Sequence, residues 1–383
     1  MADVQIDRSL KWYSAREPIV ILLLSALAAV SFLAVAGLSR TYHAQQDAIA
    51  DKSYGHGIAD LKAGLPDRAI VEFREALFYS RDNSQYQLSL AEALAARHRT
   101  DEAYAYLINL WQREPDNGTV NLELARVFAA KSESAEAIRY YHNAVYAVWA
   151  ADPEDQRRAV RLEFIDFLLA SGSQAQAQSE LIALAASLPD DASLHARVGN
   201  LFAEARDYEH ALAEFRQSLK LDRRNAAAMA GAGRAAFELG RYTQAQRYLE
   251  SAVSANSNDS TSRSLLRTAT LVLQMDPFRR QISAPQRNQI VIDAFATAGE
   301  RLRVCGSKGG STSSEPSDRN FLNARWAEMK PLVNTRSFRR NPDLADAAMD
   351  LVFSIEQQTA STCAAPRGKD LALLLISHLR EGS

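Results

Sequence analysis

The sequence predicts an all-α chain: an apolar N-terminal helix, a long array of helical hairpins and a small helical C-terminal cap. Three observations carry that prediction. Ala, Leu, Glu, Gln and Arg, which lose little freedom in a helix, dominate the middle of the chain, and β-branched runs are scarce. A pattern of small and bulky residues returns at intervals of 34 between residues 50 and 259. A stretch of 21 residues without a charge, Pro18 to Leu38, comes before it.

That stretch reads PIVILLLSALAAVSFLAVAGL. As a helix rising about 1.5 Å per residue it reaches roughly 30 Å, the thickness of a bilayer's hydrocarbon core. It is read as a transmembrane helix, residues 18–38, behind a cytoplasmic tail of residues 1–17. A cleaved signal peptide is the competing reading, because Ala34-Val35-Ala36 fits the small-x-small cleavage pattern. The length of the stretch and the acidic Asp3, Asp7 and Glu17 in the leader weigh against cleavage. Arg8, Lys11 and Arg16 precede the span and only Arg40 follows closely. The positive-inside rule then places the bulk of the chain in the periplasm or another exported compartment. Both readings export it.

The 44 basic and 46 acidic residues nearly balance, so no basic excess points to nucleic acid. Cys305 and Cys363 lie in the exported part, where two lone thiols form one disulfide more readily than a metal site. Neither has a second Cys or a His at ligand spacing, and the seven His form no HxxxH or HExxH pair. No metal and no cofactor is expected. The stretch GSKGG, residues 306–310, lacks the order of a phosphate-binding loop.

The repeat is anchored on Ala69, Ala103 and Ala137, spaced by 34, and on Ala177, Ala211 and Ala245, spaced by 34 again. A gap of 40 separates the two sets, so six residues are inserted, within AVWAADPEDQR. Four positions after each anchor stand Phe73, Leu107, Tyr141, Leu181, Phe215 and Leu249; twelve before stand Gly57, Ala91, Ala125, Ile165, Gly199 and Gly233. A small residue lets two antiparallel helices approach, and the bulky one fills the groove beside the crossing. Neither helix buries its stripe alone, so each hairpin needs the next.

Here the sequence resembles the tetratricopeptide repeat family, whose consensus places small, bulky and Pro residues at these positions. The resemblance implies a right-handed solenoid of about six repeats over residues 50–259, with Ile165 and the missing closing Pro in four repeats as departures. It also implies a groove lined by the ninth position of each first helix, here Ile58, Glu92, Arg126, Asp166, Asn200 and Arg234. The fifth position adds Tyr54, Leu88, Leu122 and Leu162, then Ala196 and Ala230. A polar stripe beside an apolar one suits a peptide or helix of a partner protein. Tyr54 and Ile58 stand where a carboxylate-clamping member has Lys and Asn, so that mode of binding is not expected. Among the aromatics Tyr140, Tyr141, Tyr146 and Trp149, core packing claims two and leaves two for a partner or the insertion.

Beyond the array, residues 260–304 read as capping helices, 305–320 as a Gly/Ser-rich loop and 321–383 as a helical appendix. A helix is expected over Arg287–Val304 and another starting with Asn341 as cap. The carboxylates Glu300, Glu315 and Glu328 read as solvated surface, and no GxSxG or HExxH motif is present. The chain resembles single-span tetratricopeptide proteins that bacteria use in envelope biogenesis, secretion and pilus assembly. That resemblance implies a non-catalytic, membrane-tethered scaffold for other proteins. A redox-responsive regulator built on Cys305 and Cys363, or an enzyme with a C-terminal catalytic module, are the alternatives.

Overall fold

The structure, a computed structural model, describes residues 10–149, 153–307 and 316–381. The named elements among these residues are all helices; one isolated β-bridge joins Asn117 to Val148. The chain divides into two compact units, Met1–Phe167 and Leu168–Ser383.

The first unit holds α1 (Leu10–Lys62), α2 (Pro66–Tyr79), α3 (Ser84–Ala96), α4 (Thr100–Arg113), α5 (Gly118–Ala130), α6 (Ser134–Tyr146) and most of α7 (Pro153–Ala170). α1 runs unbroken from the apolar stretch into the first repeat, whose first helix is its C-terminal part. From Ile19 to Leu38 its large apolar side chains are more than half exposed on every face. From Ala50 onward the same helix buries a stripe against α2 and α3.

In the second unit the repeats continue with α8 (Gln174–Ala185), α9 (Ala192–Glu204), α10 (Tyr208–Leu221), α11 (Ala226–Glu238) and α12 (Tyr242–Ala255). Then come α13 (Ser260–Met275), α14 (Ala284–Ser307), α15 (Pro316–Met329), α16 (Thr335–Arg340), α17 (Asp343–Thr362) and α18 (Lys369–Glu381).

The anchoring alanines and their bulky partners behave as the spacing requires. Ala69, Ala103 and Ala137 in the first unit, and Ala177, Ala211 and Ala245 in the second, have no exposed surface. A Cβ on Gly57 would collide with the ring of Phe73, which is why the first helix carries glycine at that crossing. In the fourth repeat Ile165 takes the same register and is fully buried.

Two further registers keep the period. Each first helix ends on a residue in the left-handed region: Gly64, His98 and Ser132 in the first unit, Gly172, Arg206 and Gly240 in the second. Each pair of flanking amides then folds back on the last carbonyls, as where Leu65 N donates to Asp60 O at 2.9 Å and Arg241 N to Ala236 O at 2.8 Å. The first helices start on Asn83, Asn117, Asp191 and Asn225, whose side chains accept from the first-turn amides. Asp259 continues this series 34 residues after Asn225 and caps α13 through Ser262 N at 3.0 Å. The cap is an aspartate, and α13 is a seventh first helix in phase with the array.

The insertion lengthens α7, which opens on Pro153; residues 150–152 lie outside the described residues. Tyr140 and Tyr141 are buried, as core packing of two of the four aromatics anticipated, while Tyr146 is exposed. Trp149 lies against Gly118 and donates Nε1 to Ala144 O at 3.1 Å.

The C-terminal helices share one core with the last repeat: Tyr242, Ala269, Val291, Phe295, Val352 and Leu373 belong to a single buried cluster. α14 extends beyond the expected Arg287–Val304 at both ends. α17 starts two residues after Asn341, which accepts from Asp343 N at 3.2 Å. The core of the Gly/Ser stretch, residues 308–315 with Glu315, lies outside the described residues. Glu300 pairs with Arg303, and Glu328 is exposed. The sulfurs of Cys305 and Cys363 meet, with Cα atoms 5.8 Å apart, inside the range a disulfide spans.

Arg301 sits one turn before Cys305 and ties the same ends together. It donates Nε to Thr359 Oγ1 at 2.9 Å and Nη2 to Ala364 O at 2.8 Å, and its Nη1 lies 3.4 Å from Asp370 Oδ2. Its Nε also lies 3.4 Å from Oε2 of Glu356, whose carboxyl has no exposed surface. Burial, with the charge of Asp370, pushes that carboxyl up to about 8 against the pull of Arg301.

Two outcomes follow for stability. Replacing His98, Ser132 or Arg206 by Gly removes left-handed strain and is expected to stabilise by about 1 kcal/mol each, read from urea midpoints. Glu356 has a raised folded-state pKa, so its contribution is full below the ordinary carboxyl range and is lost as pH rises through about 8. The melting temperature of the second unit should fall over that range in the native chain and stay level in Glu356→Gln. An unchanged pH profile in the variant would show that Glu356 does not govern it.

Candidate functional site

Three first helices of the first unit, α3, α5 and α7, bring charged side chains together around Arg126. The guanidinium grips Glu163 of α7 at two points, Nε to Oε1 at 2.8 Å and Nη2 to Oε2 at 2.6 Å. Its Nη1 donates to Glu123 Oε1 at 2.6 Å, one turn earlier on α5. Tyr141 of α6 donates its hydroxyl to Glu163 Oε1 at 3.0 Å. Glu92 of α3 faces the same cluster.

Two carboxylates thus bond one guanidinium and a third, Glu92, feels its charge, and their surroundings separate them. Burial, then the neighbouring Glu123, push Glu92 up to about 7, against the charge of Arg126. Burial raises Glu123 as well, although Arg126 opposes it. Burial also acts on Glu163, but there the hydrogen bonds and charge of Arg126, helped by Tyr141, prevail and hold the carboxyl below its usual range. The hydrogen bonds that Arg126 donates to Glu163, ahead of the cost of burial, keep it firmly charged. Such a cluster can present net negative charge to a cation and hold a proton near neutrality. Among the described residues no group of His, Cys, Asp and Glu is arranged to hold a metal ion.

The other expected groove residues fall into different settings. Tyr54 stacks on Tyr86 with ring centroids 4.7 Å apart, and its hydroxyl accepts from Gln85 Nε2 at 3.0 Å. Ile58 and Leu88 are half-buried. Leu122 and Leu162 expose only 8% and 7%, so these two pack between helices and offer little apolar surface to a ligand. Ala196 is buried and Ala230 half-buried. Asp166 is exposed at the end of the first unit's series, and in the second unit Asn200 and Arg234 are exposed. Arg234 adds a weak favourable charge to Asp259, whose carboxyl is held low chiefly by the Ser262 hydrogen bonds.

Sequence reasoning placed Glu92 and Arg126 but missed Glu123, Glu163 and Tyr141. Glu123 carried a signal, because positions three apart share a helix face. Glu163 and Tyr141 lie 37 and 15 residues from Arg126: the closing of one hairpin brings in Tyr141, and stacking on the next repeat brings in Glu163.

Stacked helical hairpins with a charged first-helix face define a helical-repeat protein. The tetratricopeptide repeat family matches residues 54–112 and again 202–268. Solved structures with a similar course include PilF of Pseudomonas aeruginosa, 16% identical over 57% of this chain and 97% of that one, with a TM-score of 0.41. The C-terminal part of a TPR repeat-containing protein of Cytophaga hutchinsonii is 13% identical over 84% of this chain and 99% of that one, TM-score 0.44. YrrB, described as a TPR protein with an unusual peptide-binding site, is 16% identical over 50% and 95%, TM-score 0.40. No curated protein matches the chain in sequence.

Replacing Arg126 by Ala leaves Glu123 buried without its partner, a loss of about 1–3 kcal/mol that Glu123→Gln should largely restore in the double variant. In Arg126→Ala the Glu92 carboxyl, followed by NMR, should titrate above its native value of about 7. A titration that stays in place would separate Glu92 from the cluster.

Proposed function

We propose that the chain is a non-catalytic, membrane-tethered scaffold that holds a peptide or helix of partner proteins on its first-helix face, in cell-envelope, secretion or pilus assembly. The observations that carry this reading lie in each unit by itself: in the first, Glu92 is half-buried and Asp166 exposed on first helices, and in the second Asn200 and Arg234 are exposed on theirs. A partner with alternating charged and small apolar side chains fits such a face better than one with large apolar anchors, because Leu122 and Leu162 are already packed. The tether is supported by the apolar part of α1, whose exposed side chains would be costly in water and are matched in length to a bilayer. Its flanking cations favour the topology with the repeats on the exported side. In that oxidising setting the Cys305–Cys363 pair is a structural disulfide closing the C-terminal helices.

Crosslinking and pull-down from intact membranes tests the face directly. The comparison is between the native chain and a variant with Glu92, Asp166, Asn200 and Arg234 changed to Ala, leaving Arg126 in place because it is structural. Specific partners should fall by on the order of tenfold while helicity and melting are preserved, a loss of about 1.4 kcal/mol. Full retention of the same partners would move the binding surface elsewhere. Alkaline extraction tests the tether: the native chain should stay with the membrane, and a mature N-terminus beyond Ala36 would identify a cleaved signal instead.

A further inference from the structure

We infer that the C-terminal helices carry a second docking surface, a cationic face formed by Arg325, Lys330, Arg336, Arg339 and Arg340, which binds the anionic headgroups of a phospholipid layer. Residues 320–341 hold these five cations against one anion, Glu328, in a chain whose formal net charge is −2. On α16 the three arginines stand at spacings of three and four, on one face, with Phe338 buried on the other. All five cations are exposed.

Among the described residues these cations have no carboxylate partner. On the adjoining helices Arg287, Arg301, Arg303 and Arg380 are each ion-paired. None of the five forms an ion pair or a side-chain hydrogen bond among the described residues. Cations in the last turn complement the negative end of α16, but one would suffice for that. Like charges gathered without counterions cost stability, which an external anion would relieve.

The side chains beside them favour lipid over an acidic protein segment. Phe321 is 59% exposed and Leu332 43% exposed, in the midst of the cations. Arg325 lies over the Phe321 ring at 5.7 Å and Lys330 over the Trp326 ring at 4.8 Å. Aromatic and aliphatic side chains interleaved with cations match the boundary between headgroups and acyl chains. Attraction to anionic lipid accumulates with the number of cations and needs no fixed fork. A carboxylate-bearing peptide would call for guanidinium groups held for two-point bonds, and no side-chain hydrogen bond among the described residues fixes these arginines in that way.

Hydrogen exchange of the full chain in vesicles tests the inference. One vesicle set is phosphatidylcholine alone, the other an equal mixture of phosphatidylcholine and phosphatidylglycerol. Exchange across residues 320–341 should slow several-fold in the mixed vesicles only, by on the order of threefold or more. The variant Arg336→Glu/Arg339→Glu/Arg340→Glu should lose the slowing, and Arg325→Glu/Lys330→Glu provides an independent pair should α16 fail to fold. Equal exchange in both vesicle sets overturns the proposal. So does a slowing produced in neutral vesicles by added polyglutamate, which would make the face an acidic-peptide site. Because the N-terminal helix is identical in every arm, its insertion does not affect the comparison.

Discussion

The whole array depends on how closely two helices can approach where an alanine faces them. Each anchoring alanine is sealed from solvent, and a larger side chain there would drive the helices of its hairpin apart. Once that distance is set, Phe73, Leu107, Phe215 and Leu249 have grooves to fill, and each hairpin is left with an apolar stripe that only its neighbour can cover. The close stacking also brings the first helices within the reach of one side chain. Arg126 thereby grips Glu163 of the following repeat at two points.

Most of the framework was legible because it was written repeatedly at a constant interval. The small and bulky positions show their chemistry in their size, and so could be read directly. The left-handed residues keep the same interval but not the same identity: Gly64 becomes His98, Ser132 and Arg206 in other copies. What recurs there is a backbone conformation, which a residue name only hints at. The caps Asn83, Asn117, Asp191, Asn225 and Asp259 are of two residue types that accept the same first-turn hydrogen bond, and that equivalence concealed α13 as a continuation of the array. Arg301, Glu356, Thr359 and Asp370 come from three separate helices outside any period, so nothing local announced their meeting. The two cysteines were easier, since a chain with only two leaves one pairing.

Arg126 and Arg301 solve a similar electrostatic problem in the two units. Each is a guanidinium among more carboxyls than it can neutralise, and each leaves one carboxyl, Glu92 or Glu356, with a proton affinity raised toward neutrality. Packing favours such an arrangement where one long, planar donor can satisfy several acceptors from different helices. The cost is borne by the acid least well bonded to it. The arginines of α16 represent the opposite case, cations that meet no carboxylate among the described residues.

α1 has a mechanical consequence of its own. Because no loop interrupts it between Leu10 and Lys62, the apolar stretch and the first repeat share a single axis and a single angular register. Each residue added to or taken from the segment between Leu38 and Ala50 would turn the first repeat by about 100° about that axis and shift it by about 1.5 Å. A change of seven would nearly restore its facing, whereas a change of two would leave it pointing almost the opposite way. The length of this shaft therefore encodes a direction as well as a distance, and an insertion harmless in a flexible linker would here re-aim the first hairpin.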